Sequence, residues 1–209
     1  MSLIRGRLLP VVLLVLALAS CQTEDGKPEP PYVSTYQGKG ANKGSTASVP
    51  TQAKESQYAV EFRSRYALTY GHTYVVFGRV DKGGNIINPE VAGLAPASPD
   101  AAPYVLGHFV PVPATTGWSD GDLEEEYRSA SWKVLMNQAQ YDKTVAYIRG
   151  LQSRSKLWSA TVYNCNAFVA DIARSMGYQT PGIWLRPQQF VTKLREMNGG
   201  SNASVARTG

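Results

Sequence analysis

A chain of 209 residues, 43% apolar, with 13 prolines and 19 glycines, has room for one ordinary domain plus some unstructured chain and not for a multidomain machine. Its formal charge of +5 comes from 21 Lys and Arg against 16 Asp and Glu without a basic run, which argues against nucleic-acid binding. Two cysteines exclude a disulfide-built scaffold, and two widely separated Cys with two His argue against a structural zinc site, so no metal or cofactor is expected.

Residues 1–20 read as a signal peptide. Arg5 and Arg7 precede an unbroken apolar run from Leu8 to Leu18, and the small residues Ala19 and Ser20 follow, a pattern of secretory export that is too short to span a bilayer. The stretch Leu18-Ala19-Ser20-Cys21 resembles the lipobox of bacterial lipoproteins. That resemblance implies that Cys21 becomes the acylated first residue of the mature chain and that Gln22, in place of Asp, directs it to the outer membrane, facing the periplasm. The other reading is a plain cleaved signal or an uncleaved anchor with an incidental cysteine.

From Cys21 to Gln57 the chain turns to Gly, Pro, Ser, Thr, Gln and Lys, with four Lys balanced by four acidic residues. This predicts a neutral flexible tether, the alternative being a wall-binding segment. Residues 58–197 regain aliphatic and aromatic side chains and have the size of one domain, while 198–209 read as a disordered tail. Within the domain, Thr73 to Phe77 is β-branched and aromatic without alternation, the pattern of a strand covered on both faces. Asp81-Lys82-Gly83-Gly84 supplies a turn, and Asn85 to Glu90 returns antiparallel, with Pro89 at its end or edge. A third strand is predicted over Tyr104 to Val112. Beyond Asn137, the residues Tyr141, Val145, Ile148 and Leu151 fall on one helical face.

The most informative stretch is Tyr163 to Tyr178. Phe168, Val169, Ile172, Ala173 and Met176 recur at helical spacing, Gly177 suits the C′ position, and Pro181 follows. Asn164 is a good N-cap, which makes Cys165 the first helical residue. With Cys21 assigned to lipid, Cys165 has no partner in an exported chain. It is either a small buried apolar side chain or a nucleophile whose pKa the helix start should depress. A nucleophile needs a base, and only His72 and His108 are available.

Asn164-Cys165 followed by Phe168-Val169, with Gly71-His72 placed 93 residues before the cysteine, resembles the circularly permuted papain-like proteins, which include relatives of lecithin:retinol acyltransferase and permuted NlpC-type cell-wall hydrolases. The resemblance implies an α+β fold, an antiparallel sheet packed against helices, in which His72 opens a strand and Cys165 opens the nucleophile helix. It also implies a third polar residue on the strand paired with that of His72, for which Asn88 is the candidate and Glu90 the substitute. The acyltransferase branch tends to carry a second histidine at the orienting position and another directly after the motif acid. Asn88 and Asn166-Ala167 stand here instead, which favours a general cysteine hydrolase.

The implied mechanism is acyl transfer. The Cys165 thiolate attacks a carbonyl, His72 takes and returns the proton, Asn88 fixes the ring tautomer, and the Cys165 N–H stabilises the oxyanion. Peptidoglycan stem-peptide amides are the expected substrate, with lipid or lipoprotein acyl groups second, and the chain is expected to be a monomer. His108 is expected to be structural or substrate-lining, and is the rival base. Tyr163, Trp158 and Trp184 are expected in the core. A different class of function is a catalytically idle papain-like lipoprotein with a binding or assembly role.

Overall fold

Alternation of side-chain type builds the first strand. Along Tyr58–Arg65 (β1), Val60 and Phe62 point to one side while Glu61, Arg63 and Arg65 point to the other, the period of two that a pleated backbone imposes. The computed structural model describes residues 57–67 and 70–200, so the leader, Cys21, the tether and residues 201–209 lie outside the described residues. Strands β2 (His72–Val80) and β3 (Ile86–Pro96) form the expected hairpin, and β2 is buried on both faces over its first seven residues. Asp81 closes the turn, its Oδ1 accepting from the N–H groups of Gly83 and Asn85 at 2.8 Å each, while Gly84 takes a φ of 80° that suits glycine.

Pro89 does not end β3. The pairing Phe77↔Glu90 slips to Arg79↔Ile87, so β3 carries one extra residue there, and Asn88 adopts a φ of 49° in the resulting bulge. The proline needs no ladder donor at such a site. The predicted strand over Tyr104 to Val112 is corrected. Ala101–Leu106 forms a short helix (α1), helped by two alanines and a proline in its first turn, and β4 (Val112–Thr116) starts only at Val112. Gly107 sits between them so close to Trp158 that a Cβ would lie 2.2 Å from the ring.

With β5 (Arg128–Met136) and β6 (Leu157–Trp158), the chain makes a six-stranded antiparallel sheet in the order β5-β1-β2-β3-β4-β6. Strands β1 and β5 were not anticipated, although the alternation in β1 is plain. Three longer helices complete the α+β fold: α2 (Gln138–Arg154), opened by a capping box of Asn137 and Gln140, α3 (Cys165–Ser175) and α4 (Pro187–Met197). Among the described residues no helix is long and apolar enough to cross a membrane.

The two faces of the sheet differ in chemistry. On one, Val60, Phe62, Val75, Phe77, Ala92 and Leu94 pack against Phe168, Val169 and Ile172 of α3 and Phe190, Val191 and Leu194 of α4. Burying each such side chain contributes roughly 1.5–3 kcal/mol relative to leaving it in water. The opposite face carries Glu61, Arg63, Arg65, His72, Tyr74 and Val76, and the segment 117–127 covers it. Arg65 Nε meets Asp122 Oδ1 at 2.7 Å, Arg63 bridges Glu61 and Glu125 at 2.9 and 2.8 Å, and Leu123 packs against Tyr74, Val76 and Val91. The first residues of the expected tail are held too: Asn198 exchanges hydrogen bonds with Gln179, and Gly200 N donates to Arg195 O.

Candidate functional site

The start of α3 is built as the spacing predicts. Asn164 Oδ1 accepts from Ala167 N at 3.0 Å, and its amide donates to the carbonyls of Ala160 and Ile183 at 3.1 Å each. Cys165 is the first residue of the helix and is half-buried. Asn166, 2% exposed, ties the helix to its surroundings: its Oδ1 accepts from Thr73 Oγ1 at 2.6 Å, and its Nδ2 donates to Ile183 O and Leu185 O. Gly177, with a φ of 90°, follows the helix end as expected.

The thiol's neighbour on the facing side of the sheet is Thr73. Burial pushes the Cys165 pKa up, and hydrogen bonds from Thr73, Asn166 and its own backbone oppose this without overcoming it. The expected depression by the helix start is therefore outweighed, because desolvation disfavours the thiolate more than those donors favour it.

His72 belongs to the other face. Residues 73, 75 and 77 point toward α3, so residues 72, 74 and 76 point away from it. The imidazole stacks on Tyr74 with ring centroids 5.6 Å apart, and its Nε2 lies 2.8 Å from where a Cβ on Gly93 would stand. Burial lowers the His72 pKa to about 4, with Arg65 adding to that and Asp122 opposing it, so the ring is neutral at pH 7. The structure brings Cys165 to Thr73 and His72 to Tyr74, Gly93 and the Arg65–Asp122 pair, and it does not bring the two predicted partners together.

The third predicted residue lies further off. Extending the antiparallel pairing sets His72 opposite Ala95, seven positions along β3 from Asn88, a separation of about 23 Å at the usual rise of a strand. Asn88 is exposed in its bulge, and Glu90, also exposed, pairs with Arg149 of α2. The β3 residue that does lie beside His72 is Gly93, which has no side chain to orient a ring. His108 is exposed, with Nδ1 3.0 Å from Tyr104 O and its ring near Tyr70, which does not fit the role of rival base.

Of the three aromatics expected in the core, Trp158 is buried and Tyr163 is half-buried with its hydroxyl donating to Asp171. Trp184 is 77% exposed, its Nε1 donating to Thr161 O, because the 183–185 segment is held by its carbonyls rather than by its side chains. Thr73 and Asn166, which touch the thiol's surroundings, were not singled out from the sequence. Among the described residues no group of three or more His, Cys, Asp or Glu could hold a metal ion. Comparison with protein-family models, curated proteins and solved structures finds no match to this chain.

Proposed function

We propose that the chain is an envelope lipoprotein, acylated at Cys21 and held at the periplasmic side of the outer membrane, whose papain-like domain of permuted NlpC type serves in binding or assembly as a monomer. The observation that carries this reading is the placement of His72 and Cys165 on opposite faces of one sheet. Proton transfer requires hydrogen-bond reach, directly or through one water, and among the described residues the thiol, its pKa raised, bonds Thr73 and helix-start groups rather than a base. Cys165 then acts as a small packing residue at a helix start.

The hydrolase reading, with peptidoglycan stem-peptide amides as substrate, keeps one observation in its favour: Cys165 is half-buried at the first position of an N-capped helix, where the helix start favours a developing negative charge. The experiment that decides is incubation of wild type, Cys165→Ala and His72→Ala with purified muropeptides and with phospholipids, read by mass spectrometry. The expected result is no product that depends on either residue, together with slow iodoacetamide labelling of Cys165 at neutral pH. A product formed by wild type and lost in Cys165→Ala overturns the binding reading.

A further inference from the structure

Three chain segments meet beside the start of α3. Ala160 N and Ser159 Oγ both donate to Gly107 O, at 3.0 and 3.3 Å, and Trp184 Nε1 donates to Thr161 O at 2.9 Å. Asn164 joins the second and third segments through the carbonyls of Ala160 and Ile183. This backbone-held junction turns large apolar side chains outward. Phe109 is 74% exposed, Val162 72% and Trp184 77%, and Val105, Leu106 and Val110 are each about half-exposed. Exposed apolar residues are ordinary when scattered, but a cluster gathered from three segments around one junction marks an interaction surface.

The geometry points to a lipid bilayer as the partner of this surface: the rim formed by residues 105–110, Val162 and Trp184 seats the domain on the membrane that holds its N-terminus. This rests on the anchored-lipoprotein reading. Under that reading Cys21 is fixed in the bilayer and the domain begins 36 residues later, at Gln57. An anchor only 36 residues from the domain keeps the rim near the membrane at high effective concentration, so even weak insertion becomes populated. The composition suits that partner. Trp and Phe are the side chains that settle at the level of lipid headgroups.

The test uses the full chain, purified with its native N-terminus and reconstituted into vesicles of phosphatidylethanolamine and phosphatidylglycerol, with and without bromine on the acyl chains. Brominated lipid is expected to quench tryptophan fluorescence in wild type and in Trp118→Phe, whose substituted residue lies on the segment covering the opposite face of the sheet. Trp184→Phe should lose most of the quenching, and Phe109→Ser with Val162→Ser should reduce it several-fold. Quenching that is absent, unchanged in Trp184→Phe, or lost instead in Trp118→Phe overturns the proposal, as does pairing of the rim with a second copy detected by cross-linking. Mass spectrometry of the N-terminal peptide reads acylation separately. If Cys21 carries no acyl chains, the anchored reading falls, and docking is then judged by co-sedimentation of that same chain with the vesicles: sedimentation abolished by Phe109→Ser supports it, and none in wild type overturns it.

Discussion

His72 is buried, neutral and set against an ion pair, which makes it a source of acid sensitivity. Burial holds its folded-state pKa at about 4, below the ordinary 6.5, so between those values the unfolded chain binds a proton that the folded chain refuses. Its contribution to stability is therefore complete above pH 6.5 and declines as pH falls toward 4, by on the order of 3 kcal/mol across that window. Urea denaturation of wild type at pH 7 and pH 4.5 should show this loss, and His72→Gln should lose clearly less; equal losses in both proteins would refute the assignment. Cys165 and its cap were legible in the sequence because capping is local, decided by Asn164 and the three residues after it. The facing of His72 was not. A strand buried on both sides shows no alternation of polar and apolar residues, so nothing in HTYVVF marks which of His72 and Thr73 looks toward the helix.

At the scale of elements, Asn166 is the side chain that ties β2, α3 and the 183–185 segment together, with Asn164 adding a second bond to Ile183 O. Asn166 bonds the Thr73 hydroxyl in a buried setting and two backbone carbonyls in a partly buried one. Asn166→Ala leaves the Thr73 hydroxyl and Leu185 O without this partner, while Ile183 O keeps its bond from Asn164, and since each unsatisfied buried group costs about 1–3 kcal/mol, a loss of roughly 2–4 kcal/mol is expected in chemical denaturation. A change below about 0.5 kcal/mol would show that water replaces the amide without cost. The helices α2 and α3 could be read from spacing and caps alone. The strand expected over Tyr104 to Val112 could not, because its β-branched and aromatic residues compete with a helix start at Ala101–Pro103 and only the fold decides. The sequence marks the turn of the hairpin but not the full length of its return strand, since Pro89 has the signature of a terminator and only the bulge at Asn88 accommodates it.

Across the whole molecule, the face away from the helices is closed by charge. Asp122 is fully buried, and its carboxylate accepts from Arg65 Nε, Ser119 N and Ser119 Oγ. Burial by itself would raise the Glu61 carboxyl, yet Arg63, Lys133 and Arg128 hold it below the usual carboxylate range. Removing one partner of a buried pair leaves the other uncompensated, so Asp122→Ala should cost about 3–5 kcal/mol, and joint replacement of Arg65 and Asp122 by Met and Leu should restore much of it. Thermal melts of the single and double variants measure this, and a double variant no more stable than Asp122→Ala would contradict it. Because water-avoidance fastens one side of the sheet and ionic pairing fastens the other, the molecule has two separate weak points. Cooling loosens the helical layer, where the driving force for burial fades, while protons loosen the loop-covered layer, so cold and acid attack the same sheet from opposite sides.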